Sequence, residues 1–220
     1  MKYYPIFLDL RGKKCLVVGG GGVAQRKVET LLEAKAKVTL ISPHVTPGLR
    51  ELKKKGKVRY LARKYRKGDT KGFFLAYDAS ADPRVHKRVV KEALDNHVLI
   101  NVVDRPKLCN FIAPAVVQRG KLVIAVSTGG ASPAMAKRVR QHLERIFGRE
   151  YERGLRLLSA LRRELMRRSL SASDRRRIFT ELAGSRLLDY IREGKRGTVD
   201  RLLSRIAGRG WNLRKLGVRL

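Results

Sequence analysis

The sequence predicts an α/β protein: a doubly wound parallel sheet, then a short mixed α/β segment, then a small all-helical domain. Three observations predict it. Short apolar runs alternate with helix-period stretches through the first half of the chain, the pattern of a parallel sheet with crossover helices. Four glycines, Gly19, Gly20, Gly21 and Gly22, separate the first apolar run from the first helical stretch. Beyond Gly148 only helical periodicity remains, in an Arg-rich background.

Residues 14–18 form the first predicted strand, and residues 23–32 a helix, with apolar side chains at 23, 24, 28, 31 and 32. Residues 38–41 are the second strand, stopped by Ser42-Pro43. Residues 58–61 and 73–77 are the third and fourth. Residues 83–94 read as a helix with Pro83 in its first turn. Residues 98–103 are a fifth strand, apolar apart from Asn101, which suits burial on both faces. This places a first domain at residues 1–112. Residues 113–120 read as a short helical piece, 122–126 as a strand and 133–147 as a helix, so residues 113–148 form the mixed segment. Residues 149–220 form the helical domain. Tyr151, Leu155, Leu158 and Leu165 give its first stripe, Ser173-Asp174 a cap for a second helix, and Thr198 a cap for a third ending at Gly208.

With 43% hydrophobic residues the 220-residue chain can build a core, and no apolar run is long enough for a transmembrane helix. The start of the sequence has no signal-like apolar stretch, so a cytoplasmic protein is expected. Cys15 and Cys109 are expected to be free thiols, and the four histidines show no metal-ligand spacing, so no metal site is predicted. The formal net charge of +32 is spread along the chain rather than gathered in one tail. That distribution disfavours nucleic acid and suits either a small polyanionic substrate or a plainly solvated surface.

Gly19, Gly21 and Ala24 fit the G-x-G-x-x-A turn between strand and helix that binds dinucleotides, a Rossmann-like signature. Gly19 makes the tight turn. Gly21 admits the pyrophosphate, which meets the helix N-terminus at Gly22 and Val23, and Ala24 allows close helix–strand packing. No acid follows the second strand to hold a ribose hydroxyl. Ser42, Pro43 and His44 stand there instead, and no Arg beside them would clasp a 2′-phosphate, so NAD is favoured over NADP. Ala79, after the fourth strand, is small enough for a cofactor to approach; Asp78 beside it also reads as a turn residue. Asp104 follows the fifth strand and can face the crevice as a proton acceptor, or cap a turn. Ser127, Thr128, Gly129 and Gly130 form a hydroxyl-and-glycine turn before a helix, suited to a carboxylate or to an ordinary connection.

Residues 4–10 (YPIFLDL), 15–21 (CLVVGGG), 23–27 (VAQRK), 101–104 (NVVD), 111–115 (FIAPA) and 126–133 (VSTGGASP) together resemble the precorrin-2 dehydrogenase and sirohydrochlorin ferrochelatase family, the siroheme synthase module. The resemblance implies oxidation of precorrin-2 to sirohydrochlorin with NAD, followed in many members by insertion of Fe2+ to give siroheme. It implies Asp104 as the catalytic acid–base, NAD on residues 19–24 and 42–44, and substrate on Asn101 and residues 127–130. It also implies a homodimer built on residues 113–148. The phosphorylated serine of some members falls here on Thr128, with Ser127 beside it. A substrate with eight carboxylates matches the basic charge. Two alternatives stay open: a dehydrogenase without chelatase activity, and a basic protein that binds RNA or a tetrapyrrole without turnover.

Overall fold

The computed structural model describes residues 2–168 and 170–220. Its Cα positions divide into two compact units, residues 1–113 and 114–220. In the first, β1 (Lys14–Val18), β2 (Lys37–Ile41), β3 (Val58–Leu61), β4 (Leu75–Asp78) and β5 (Leu99–Val102) form one parallel sheet in the order β3-β2-β1-β4-β5. The chain winds outward from β1 to β3, then returns to β1's other side for β4. The direction of winding therefore reverses between β1 and β4, which opens a crevice beyond their carboxyl ends.

Alternate residues of each strand feed two cores. Cys15, Val17, Val38 and Leu40 pack with Ala24, Val28 and Leu31 of α1 (Gly22–Glu33) and Leu49 of α2 (Pro47–Lys54). Leu16, Val18, Ala76 and Ile100 pack on the opposite face with Val89 and Ala93 of α3 (Pro83–Asp95). Both cysteines are free thiols, and burial pushes that of Cys15 up to about 11.

Three sequence expectations in this unit change. β5 is an edge strand, and Leu99 and Asn101 are only half-buried while Ile100 and Val102 are buried. Its apolar run therefore does not mean burial on both faces. The fourth strand runs one residue further than expected and takes in Asp78, which is a strand residue rather than a turn residue. α2 had no counterpart in the periodicity reading. It is announced by Thr46, whose side chain accepts the Leu49 N–H, and by Pro47 at the first helical position.

In the second unit, β6 (Ala115–Arg119) and β7 (Leu122–Val126) form an antiparallel hairpin. This corrects the helical piece expected at 113–120. Gly120 (φ +60°) and Lys121 make a two-residue turn whose first position favours glycine, and apolar runs flanking a Gly-X pair are the signal that was passed over. α4 (Pro133–Ile146) follows, capped by Ser132 through the Met135 N–H. Arg119 of β6 donates to the carbonyls of Phe147 and Glu144, placing a cation at the C-terminus of α4.

α5 (Arg149–Met166), α6 (Ala172–Gly184), α7 (Leu187–Arg192) and α8 (Arg196–Ala207) form the helical part. The buried face of α5 is Leu157, Leu161 and Leu165, packed with Ile178, Leu182, Ile191, Leu203 and Trp211. Of the expected stripe only Leu165 is buried; Tyr151, Leu155 and Leu158 flank it half-buried. α6 is capped by Ser171, which accepts the Asp174 N–H, rather than by Ser173. α8 starts after Lys195 with no side-chain cap, so Thr198 lies inside it, and Gly208 ends it as expected. The short α7 was not foreseen. None of the described helices is long and apolar enough to cross a membrane.

Candidate active site

β1 delivers the chain into the glycine turn at the reversal point of the sheet. Gly19 has φ +110°, and a Cβ there would lie 2.4 Å from the Ala79 carbonyl oxygen. A Cβ on Gly20 would lie 1.9 Å from the His44 carbonyl oxygen. These two glycines are required by the protein's own backbone, since the turns after β4 and β2 press on the turn after β1.

Gly21 differs. It is the N-cap of α1 in extended conformation (φ −81°, ψ −175°), which any residue adopts, and a Cβ there meets nothing within 4 Å. Nothing in the chain requires glycine at this position; a group brought close to the backbone from outside would. α1 has no side-chain cap and no acid in its first turn, so its N-terminal amides are presented bare beside Gly21. The residues present therefore fit the pyrophosphate of a dinucleotide.

Gly19, Gly20 and Gly21 line a cavity of about 400 Å³ together with Ser42, Pro43 and Ala79. Ser42 is buried, and its hydroxyl already donates to the His44 carbonyl (2.7 Å). The His44 ring is not part of the lining; its carbonyl shapes the turn. Gly22 and Val23 open α1, and Ala24 is fully buried beneath the turn.

The cavity also takes in residues outside the motif. Arg63 and Lys64 arrive from the loop after β3, Ser80 and Asp82 from the passage between β4 and α3, and Val85 from the first turn of α3. The expectation that no Arg stands near Ser42 is thereby corrected. Arg63 is held in a two-bond pair with Asp69 (2.7 Å each) rather than free to clasp a phosphate. The available signal was position: every loop leaving a carboxyl end of this sheet borders the crevice.

Asp104 lies two residues beyond β5, exposed, with φ +58°. The Arg105 N–H bonds to the Val102 carbonyl (3.2 Å), so Asp104 is the third residue of a turn that favours glycine or asparagine there. Asn101 spends its amide on the Phe111 carbonyl (3.0 Å), tying the following loop to β5.

The hydroxyl turn stands in the second unit. Ser127 Oγ accepts the Gly129 N–H (3.0 Å), and Thr128 Oγ1 both accepts from the Ser132 N–H and donates to the Ser132 carbonyl (3.1 Å each). Gly129 and Gly130 take φ of +64° and +91°. Among the described residues no cluster of His, Cys, Asp or Glu could hold a metal ion.

A parallel sheet reversing at β1, with an open glycine turn at a bare helix N-terminus, defines a Rossmann-type NAD(P)-binding protein. Residues 6–115 match the family model described as putative NAD(P)-binding, and residues 119–146 the model described as sirohaem biosynthesis protein central. The chain belongs to the siroheme synthase and precorrin-2 dehydrogenase family. It is 38% identical over 215 residues to the siroheme synthase of Methylobacillus flagellatus, covering 96% of this chain and 45% of that one. It is 40% identical over 181 residues to that of Methylococcus capsulatus, covering 82% and 38%. The chain thus spans less than half the length of these curated relatives. Among solved structures it resembles SirC, precorrin-2 dehydrogenase, with a TM-score of 0.80 and 29% identity over 93% of this chain and 99% of that one.

Proposed function

We propose that this chain is an NAD-dependent precorrin-2 dehydrogenase that acts as a homodimer. One observation carries the reading. The open Gly21 turn after β1 and the exposed acid after β5 stand on the same carboxyl edge of one sheet. Oxidation of precorrin-2 to sirohydrochlorin removes a hydride and a proton. NAD, when bound, supplies the hydride acceptor. Gly19, Gly21 and the amides at Gly22 and Val23 hold its pyrophosphate, with Ala79 and the Ser42–Pro43 turn shaping the cavity wall. The Asp104 carboxylate accepts the proton from the macrocycle. The likeness to SirC along nearly the whole chain supports the dehydrogenase reading.

The turn at residues 127–130 offers backbone N–H groups and the Ser127 O–H to substrate carboxylates, the Thr128 hydroxyl being used within the turn. Insertion of Fe2+ into the product, sirohydrochlorin, is the natural second step, the ion entering as a reactant taken by the macrocycle nitrogens as two pyrrole protons leave. The siroheme synthase relatives favour that step.

The test is anaerobic turnover of precorrin-2 with NAD+, followed by NADH absorbance. Wild type forms NADH, and Asp104→Ala loses about 100-fold or more in rate while binding NADH as wild type does. Normal turnover by Asp104→Ala would remove Asp104 from the mechanism. Adding Fe2+ to sirohydrochlorin with the same preparations tests the chelation step.

A further inference from the structure

The last residue of β4, Asp78, is fully buried, and its carboxylate is satisfied by two groups that flank the cofactor cavity. The Ser80 N–H donates to Oδ1 (3.0 Å), and His86 Nδ1 lies 2.7 Å from Oδ2. With the carboxylate oxygen as acceptor, Nδ1 is the donor of this bond. His86 is itself buried and sits in the first turn of α3. Ser80 Oγ lies 3.4 Å from the same ring nitrogen. Because one nitrogen faces both Ser80 and Asp78, the trio is no proton relay of the serine-hydrolase kind, which uses the two ring nitrogens separately.

The chemistry is instead a tie. Residues 79–82 connect β4 to α3, and Ala79, Ser80 and Asp82 line the cavity beside the glycine turn. The tie closes this short loop across its base, from the strand end to the helix's first turn. The loop it closes carries the Ala79 carbonyl that faces Gly19 at the cavity wall. Among the described residues His86 Nδ1 is the one side-chain group within hydrogen-bond distance of the Asp78 carboxyl.

We propose that His86 is a positioning residue for the dinucleotide, acting through Asp78 to hold the Ala79–Ser80 wall of the cavity. This rests on the cofactor reading above. The test uses NADH titration by calorimetry and steady-state kinetics on the full chain. Asp78→Ala/His86→Ala removes the buried carboxyl group together with its partner, which limits the damage to stability. It is expected to weaken NADH binding, and to raise KM for NAD+, by about tenfold or more with kcat at saturating nucleotide within about threefold.

His86→Asn places a neutral amide donor where Nδ1 stands and is expected to bind NADH within about threefold of wild type. Wild-type affinity in the double variant would overturn the proposal. So would a His86→Asn variant as weak as the double variant, because the bond to Asp78 would then not set the wall. Failure of the wild-type chain to bind either NADH or NADPH would instead sink the cofactor reading.

Discussion

The turns after β1 and β4 touch through Gly19 and Ala79: a Cβ on Gly19 would lie 2.4 Å from the Ala79 carbonyl oxygen. Gly19 also holds φ +110°, so Gly19→Ala meets both backbone strain and a collision with main chain that has no flexible end to move aside. It should lower stability by about 1–3 kcal/mol. Gly21→Ala meets neither obstacle and should cost only what a poorer N-cap costs, about 1 kcal/mol or less. Yet Gly21→Ala should weaken NADH binding by about tenfold or more, since its methyl occupies the space left for the pyrophosphate. Denaturant unfolding and NADH titration on the two variants separate these effects. Unaltered NADH affinity in Gly21→Ala would move the cofactor away from this turn.

Asp104 occupies a turn position that glycine or asparagine would fill with less strain. Asp104→Gly should therefore gain about 0.5–1 kcal/mol of stability. Asp104→Asn should keep the fold and the turn. Both should lose NADH formation, because each removes the carboxylate. A stabilised and inactive pair, measured by unfolding and by turnover, would mark Asp104 as strain retained for chemistry. Loss of stability in Asp104→Gly would mean that the carboxylate supports the turn.

The first unit was largely legible because its signals are local. Glycines between a strand and a helix, proline in the first turn of α3, and alternating apolar runs each report on a few neighbouring residues. The cavity lining was legible where it follows strand ends in sequence, as at residues 19–21, 42, 43 and 79. It was opaque where the fold folds back on itself. Arg63 and Lys64 reach the cavity through a loop with no motif, and the Asp78–His86 tie joins residues eight apart whose partnership depends on how α3 docks. A five-residue strand with three apolar residues followed by Gln118 and Arg119 has no clear period of its own; only the two-residue Gly120-Lys121 turn marks β6 as a strand.

The proposed dimer has a candidate surface. Val116 and Val123 on the hairpin and Met135, Val139 and Ile146 on α4 remain exposed. Val139→Asp should convert a dimer to monomers, read by sedimentation. Because Val139 is already 37% exposed, the monomer should keep its helical content. A dimer that survives Val139→Asp would place the interface elsewhere.

In the second unit, Arg192 of α7 donates to Glu150 at the start of α5 (2.9 Å). Burial alone would raise the Glu150 carboxyl. The hydrogen bond from its own backbone N–H and the Arg192 guanidinium outweigh burial and hold it below its ordinary value of 4.5. A carboxyl depressed on folding contributes stability that is complete above its unfolded pKa. That contribution is lost as pH falls through the folded pKa. Thermal melting of the wild type against Glu150→Gln should accordingly show the wild type ahead by a constant margin at neutral pH. The margin should begin to shrink as pH falls below about 4.5 and close at still lower pH. A margin that is independent of pH would mean that Glu150 contributes by packing rather than by charge.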